Sequence, residues 1–330
     1  MLPLISHSPL YRQRIFLAFL FIAVGFYAES KRTIFIVSTR GERGMRKLIS
    51  VLTFIVLLPA GAVWAELLHP NGAGVAMGHL HYKVRDVEAN KKFWIALGAT
   101  PVKIDTREVL KFNSVLIFLD KAESSGGTEG SVVNHVGFRV PNTREGLARL
   151  KAAGYKTDLN NTGTGKVGNV FSPESERIEF LEDQSVNVKF VPDAGPYAPP
   201  PKMTIPITLH HIHLYVPEES VGKAKAWYVK VFGGIPGKRY KTEDPPYAAA
   251  DIPGVNMNFA EAHGALAPTK GRMLDHIGFE VVDLEAFCKK MQASGVKFTR
   301  DYRKQDIFGI AVLTDPWGVA MELTEGQRQY

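Results

Sequence analysis

One short strand pattern occurs four times in this chain. It reads Gly78-His79-Leu80-His81-Tyr82-Lys83-Val84, Asn134-His135-Val136-Gly137-Phe138-Arg139-Val140, His210-His211-Ile212-His213-Leu214-Tyr215-Val216 and Asp275-His276-Ile277-Gly278-Phe279-Glu280-Val281. Each copy carries a histidine in the same register and a helical pattern a few residues downstream, so one structural unit has been repeated. A histidine that recurs at a fixed strand position suggests a metal site. Successive strand side chains point to opposite faces. Leu80, Tyr82 and Val84, or Ile277, Phe279 and Val281, therefore form an apolar face for packing under helices, while His79 and His81, or His276 and Gly278, face a cavity or water.

Each repeat continues alike. Helical patterns cover Val87 to Leu97, Thr143 to Ala153, Glu218 to Phe232 and Leu284 to Ala293, each stopping near a glycine, the residue that tolerates a left-handed cap. Short strand-like runs follow, among them Val115 to Leu119, Arg177 to Leu181, Val255 to Ala260 and Gly318 to Leu323. The predicted fold is α+β: four strand-helix-three-strand (βαβββ) units taken in pairs as two domains, which suits 330 residues.

The net charge is +7, but residues 1–47 hold eight basic and two acidic side chains, leaving +1 for the rest. A nucleic-acid partner for the folded part thus has no electrostatic support. From Met45 the chain reads as a secretory signal peptide, with Arg46-Lys47, the apolar run Leu48 to Leu58, and small residues at Val63 and Ala65 ahead of Glu66. The expected organisation is an upstream extension or leader over 1–44, a signal peptide over 45–65, a first two-unit domain over 66–191, a proline-rich linker over 192–206 and a second two-unit domain over 207–330. The expected destination is secreted or periplasmic, with no membrane contact after cleavage. The alternative is anchoring by an uncleaved N-terminus, because Ile15 to Ala28 is also apolar. The one cysteine, Cys288, permits no intramolecular disulfide and reads as a buried thiol in a helix. The segments 123–130 and 163–168 are glycine-rich but lack the strand-to-helix context of a phosphate loop and read as turns.

Two acidic strand endings complete the pattern. Asp315-Pro316-Trp317-Gly318 leads to Glu322 between Met321 and Leu323; Ser172-Pro173-Glu174-Ser175-Glu176 leads to Glu179, with Glu174 and Glu176 read as turn residues. With these the chain resembles the vicinal oxygen chelate superfamily, which includes glyoxalase I, extradiol dioxygenases and bleomycin-resistance proteins. The resemblance implies that two units pair into a cupped sheet, whose metal ligands are the first-strand histidines of both units and a last-strand glutamate. Taking consecutive units as pairs, it implies one site at His79, His135 and Glu179 and another at His211, His276 and Glu322. It further implies one divalent metal, iron, manganese or zinc, with a second possible, and a small-molecule substrate.

Two imidazoles and a carboxylate leave coordination positions open for water or a chelating substrate. The resemblance places a fourth ligand of glyoxalase I at Ile117 and Asn258, which disfavours the ordinary glutathione-dependent isomerase. Val312 replaces the tyrosine of extradiol dioxygenases, which disfavours ordinary ring cleavage. His81 and His213 are read as lining the cavity and His210 as pointing to the opposite face. Proton transfer is assigned to His213, Tyr215 or Tyr247, substrate contact to Asn258 and Trp317, and the second pair is preferred as the active one. The reading is an exported metalloenzyme acting on a small oxygen-rich, metal-chelating substrate; the alternative is a metal-free binding or sequestration protein of the bleomycin-resistance type.

Overall fold

The computed structural model describes residues 67–159, 164–196, 202–240 and 246–330. The expected leader, the expected signal peptide and part of the proline-rich stretch lie outside them. The first unit comprises β1 (Val75–Val84), α1 (Val87–Leu97), β2 (Thr100–Ile104), β3 (Arg107–Phe112) and β4 (Val115–Lys121). The second comprises β5 (Val133–Val140), α2 (Thr143–Ala152), β6 (Thr157–Leu159), β7 (Val167–Phe171) and β8 (Arg177–Glu182), followed by the short β9 (Phe190–Pro192). The third comprises β10 (Thr208–Val216), α3 (Val221–Phe232), β11 (Ile235–Arg239), β12 (Tyr247–Ile252) and β13 (Val255–Glu261). The fourth comprises β14 (Leu274–Val281), α4 (Leu284–Ala293), β15 (Phe298–Lys304), β16 (Gly309–Thr314) and β17 (Ala320–Glu325).

Three helices start at an aspartate or asparagine whose side chain accepts a first-turn N–H: Asp86 from Ala89, Asn142 from Glu145 and Asp283 from Ala286. Such a cap contributes about 0.5–2 kcal/mol. The third helix lacks one and is entered instead through a 3-10 turn at Glu218–Ser220, which is why it begins later than the sequence pattern suggests. Gly233 ends it in the left-handed region at φ 66°, where an added Cβ would also meet the Ala73 methyl at 2.6 Å.

The four repeats form two mixed sheets, but consecutive units are not partners. One sheet has the order β15-β16-β17-β14-β1-β4-β3-β2, joining the first unit to the fourth; the other has the order β6-β7-β8-β5-β10-β13-β12-β11-β9, joining the second to the third. At the centre of each, two first strands run antiparallel, β1 against β14 and β10 against β5. This corrects the division at the proline-rich stretch. That stretch connects two units of one sheet, because Phe190–Pro192 leaves β8 as an edge strand on β11, where a residue without an N–H is tolerated. The chain changes sheets instead through residues 122–132 and 262–273. These two crossovers are bonded to each other, Ser125 N–H to Gly271 O at 2.9 Å, Met273 N–H to Gly126 O at 2.8 Å and Val132 N–H to Ala267 O at 3.0 Å.

The apolar strand faces and the helices make one continuous core. In α1, Trp94 reaches Phe138 of the other sheet at 6.1 Å between ring centroids, and Phe112 meets the same Phe138 at 4.8 Å. In the third helix, Phe232 stacks on Phe279 at 4.5 Å, again across sheets. The histidine faces are left pointing away from this shared core. Cys288 is buried in α4, and burial pushes its thiol up to about 11, as its helical context predicts. None of the described helices is long and apolar enough to cross a membrane.

Candidate metal centres in the two cups

Changing the pairing regroups the ligands. In the first-and-fourth-unit sheet, His79 Nε2 lies 3.7 Å and His276 Nε2 3.8 Å from the two carboxylate oxygens of Glu322. In the other sheet, His135 Nε2 and His211 Nε2 lie 3.6 and 3.5 Å from the same oxygen of Glu179, and 3.2 Å from each other. The six ligand positions expected from the sequence are thus all in cups. The triads are His79, His276 and Glu322 in one cup, and His135, His211 and Glu179 in the other. Neither consecutive-unit triad exists, since His79 and His135 lie in different sheets.

The strands explain the convergence. His79 stands opposite Gly278 and His211 opposite Gly137 across the central antiparallel pairs. Each imidazole lies over that glycine so closely that an added Cβ would come within 2.1 Å of the ring's Cε1. The Glu follows from the parallel neighbour, with Gly278 opposite Glu322 and Gly137 opposite Glu179.

The far nitrogen of each ring is held. His276 Nδ1 lies 2.8 Å from Asp275 Oδ1, His135 Nδ1 2.9 Å from Asn134 Oδ1, and His79 Nδ1 3.2 Å from Gln327 Oε1. Arg177 donates to the same Asn134 oxygen and stands 3.0 Å from the His135 nitrogen. His211 Nδ1 lies 3.0 Å from Nδ1 of His210. Burial, with Arg239 adding to it, drives His210 down to about 3, so its ring is neutral, and it also hydrogen-bonds the Val188 backbone. With its proton spent on that carbonyl, His210 Nδ1 accepts from His211.

A ring that donates through Nδ1 presents a lone pair at Nε2. Burial also lowers His79, His211 and His135, favouring their neutral form. Glu179 is held below the usual carboxylate range: burial opposes ionisation, but His135, Arg239 and Arg177 outweigh it. Glu322 has weaker cationic support and burial raises it. Electron-pair donors that converge at 3.2–3.8 Å match the spacing of about 3.3 Å between ligands about 2.0–2.1 Å from a tetrahedral metal. Among these groups, His276 Nε2 is buried without a hydrogen-bond partner. The donor set therefore fits a divalent cation, and in each cup a third histidine, His81 or His213, brings a ring nitrogen within 4.8 Å of the other two.

The two cups differ around that common frame. In the first, His81 Nε2 lies 2.8 Å from Asp120 Oδ2, Arg107 also bonds Asp120, and burial with the neighbouring His276 lowers His81 to about 4. A cavity of about 280 Å³ beside Glu322 is lined by Lys270, Thr299 and Arg300. In the second, His213 stacks on Tyr215 at 5.1 Å and meets Tyr247 edge-on at 4.3 Å. Asn258, opposite His213 on the neighbouring strand, is fully buried with neither amide atom hydrogen-bonded. His213, Tyr215, Tyr247 and Asn258 accordingly surround the Glu179 triad and not Glu322.

Four further readings change. Trp317 does not line a cup; it packs edge-on against Trp227 at 6.3 Å, on the rim of the core. The residue matching Asn258 in the first unit is Phe118, opposite His81, whereas Ile117 is buried in the core. His210 does not point to the opposite face, because a β-bulge between Leu209 and His211 swings it beside His211. Glu174 and Glu176 are not idle: Glu174 accepts from Arg85 N and Asn90 Nδ2, and buried Glu176 from Thr128 N–H at 3.0 Å. The partners of the ligand rings were missed altogether. Their signal was the residue just before each histidine, Asn134, His210 or Asp275, replaced in the first unit by Gly78 and the distant Gln327.

Residues 208–323 match the family model of the Glyoxalase/Bleomycin resistance protein/Dioxygenase superfamily. No curated protein matches the chain. Among solved structures, glyoxalase I from Zea mays is similar at 15% identity and a TM-score of 0.57, covering 77% of this chain and 94% of that one. A putative dioxygenase from Bacillus subtilis is similar at 15% identity and a TM-score of 0.52, covering 76% and 85%. At such identity these structures speak to the fold, two cupped sheets of paired repeats. The family-model match covers the third and fourth units, residues 208–323, and these units are similar to the glyoxalase, bleomycin-resistance and dioxygenase superfamily, the vicinal oxygen chelate proteins, while the solved structures show that the fold is shared over most of the chain.

Proposed function

We propose that this protein is an exported metalloenzyme that acts on a small, oxygen-rich substrate able to chelate a divalent metal. The observation that carries the reading is the convergence of two Nε2 atoms and one carboxylate in each cup, with every Nδ1 facing a fixed partner. Such partners orient ligating rings and raise their basicity. His79, His276 and Glu322 would hold one metal, and His135, His211 and Glu179 the other. When bound, the metal supplies Lewis-acid polarisation of substrate oxygens.

The second cup is the better equipped for reaction. Asn258 offers a buried donor and acceptor with no protein partner, suited to fixing a substrate oxygen or hydroxyl. His213, Tyr215 and Tyr247 form the adjoining wall, where a proton can be taken up by the imidazole or given by a phenol. Of the fourth-ligand positions, Phe118 cannot ligate and Asn258 is a weak ligand. Export follows from the leader sequence.

Metal analysis of untagged protein tests the reading. The expected result is up to two divalent ions per chain, lost stepwise in Glu322→Ala and Glu179→Ala. Metal-free protein that binds a small molecule with unchanged affinity in both variants would instead identify a sequestration protein.

A further inference from the structure

Beyond the bulged His210, at the end of the second cup, lies a separate cavity of about 450 Å³. Its walls include Leu68, Phe190 and Val255, and its polar lining includes Ser114, Asp251 and Asn256. Hydrogen bonding within that polar set is incomplete. Asn256 donates Nδ2 to Asp251 Oδ1 at 3.0 Å, which fixes the amide's orientation. Its Oδ1 is then a buried acceptor without a partner, as is the hydroxyl oxygen of buried Ser114.

Charge points the same way. Asp251 has no cationic partner among the described residues, and burial pushes its carboxyl above the ordinary range against the donation from Asn256. Two other titratable groups line the cavity. Arg139 is held in an ion pair with Asp183, and His210 is neutral and turned to His211. The cavity therefore offers acceptors and an uncompensated carboxylate between apolar walls. A ligand that completes it must donate several hydrogen bonds and carry positive charge.

We propose that this cavity binds the ammonium group of a small primary amine, with Asp251, Asn256 Oδ1 and Ser114 Oγ as the acceptors and the apolar wall against the amine's carbon chain. The site adjoins the second cup without using its ligands: Asn256 stands opposite His211 on the neighbouring strand and Asp251 opposite Asn256.

The test is an NMR titration of the purified protein with ethanolamine, ethylene glycol and acetate, read at the amides of Ser114 and Asn256. Ethanolamine should saturate both signals, bind at least tenfold more tightly than ethylene glycol, and leave acetate without effect. Asp251→Asn should weaken ethanolamine at least tenfold while metal content is unchanged. If that variant does not fold, Ser114→Ala, on a turn, carries the test and should weaken binding at least threefold. Equal response to ethanolamine and ethylene glycol, a linear unsaturable response, or unchanged affinity in the folded variant would each overturn the proposal.

Discussion

The imidazole of His79 lies directly over Gly278, at a distance that leaves no room for even a methyl group between them. The same relationship holds for His211 over Gly137. Gly278→Ala should therefore displace His79 and lower metal affinity in the first cup alone, by roughly 10–100-fold, as expected when a ligand ring loses its orientation. Gly137→Ala should do the same in the second. Equilibrium titration with a competing chelator, cup by cup in the Glu179→Ala or Glu322→Ala background, measures it.

Pairing the first unit with the fourth, and the second with the third, predicts which variants act on which site. His276→Ala should impair the site completed by His79 and Glu322 and spare the one completed by His135, His211 and Glu179. Metal stoichiometry of His276→Ala combined with Glu322→Ala should equal that of either single variant, whereas His276→Ala combined with Glu179→Ala should lose both ions.

Glu176 makes stability fall as pH rises. Burial lifts its carboxyl to about 7, and its Oε1 has no hydrogen-bond partner. The folded state thus holds the proton more tightly than the unfolded chain. Its contribution is fully present below the ordinary 4.5 and is lost as pH climbs through about 7. The loss is about 3 kcal/mol at most, at 1.36 kcal/mol per pKa unit. Glu176→Gln should accordingly raise the unfolding midpoint in denaturant at pH 8 and change little at pH 4.

Phe138 joins the two sheets through Trp94 and Phe112. Truncation to alanine should cost about 3–5 kcal/mol, the range for a large buried aromatic. Because the core is continuous, urea unfolding monitored by tryptophan fluorescence and by far-ultraviolet circular dichroism should shift together.

The unit boundaries, most strand faces, the in-register histidines and the two strand-end glutamates were legible because they rest on local periodicity, while the role of these residues as ligands was what the family resemblance implied. Pairing was not. A His-x-His strand must face a His-x-Gly strand so that one ring can cross the glycine, yet joining the first unit to the second satisfies that as well as joining it to the fourth. Only the long-range closure of β1 on β14 decides. The bulge at His210 was equally hidden, since strict alternation cannot show where one extra residue is inserted. The slip from Phe118 to Ile117 was a one-residue register error, which exchanges the cup face for the core face.

The nested connectivity also separates the two cups in time. Every strand of the sheet that carries His135 and His211 lies between Val133 and Glu261, so its sequence is complete while the fourth unit has yet to be made. The sheet around His79 begins earlier and stays open until β17 arrives, bringing Glu322 and then Gln327 behind it. During synthesis the edge of β1 that pairs with β14 has no partner until the fourth unit is made, and closing so long a loop carries a larger entropy cost than any pairing within a unit. A chain shortened at its C-terminus would lose one centre and keep every ligand of the other.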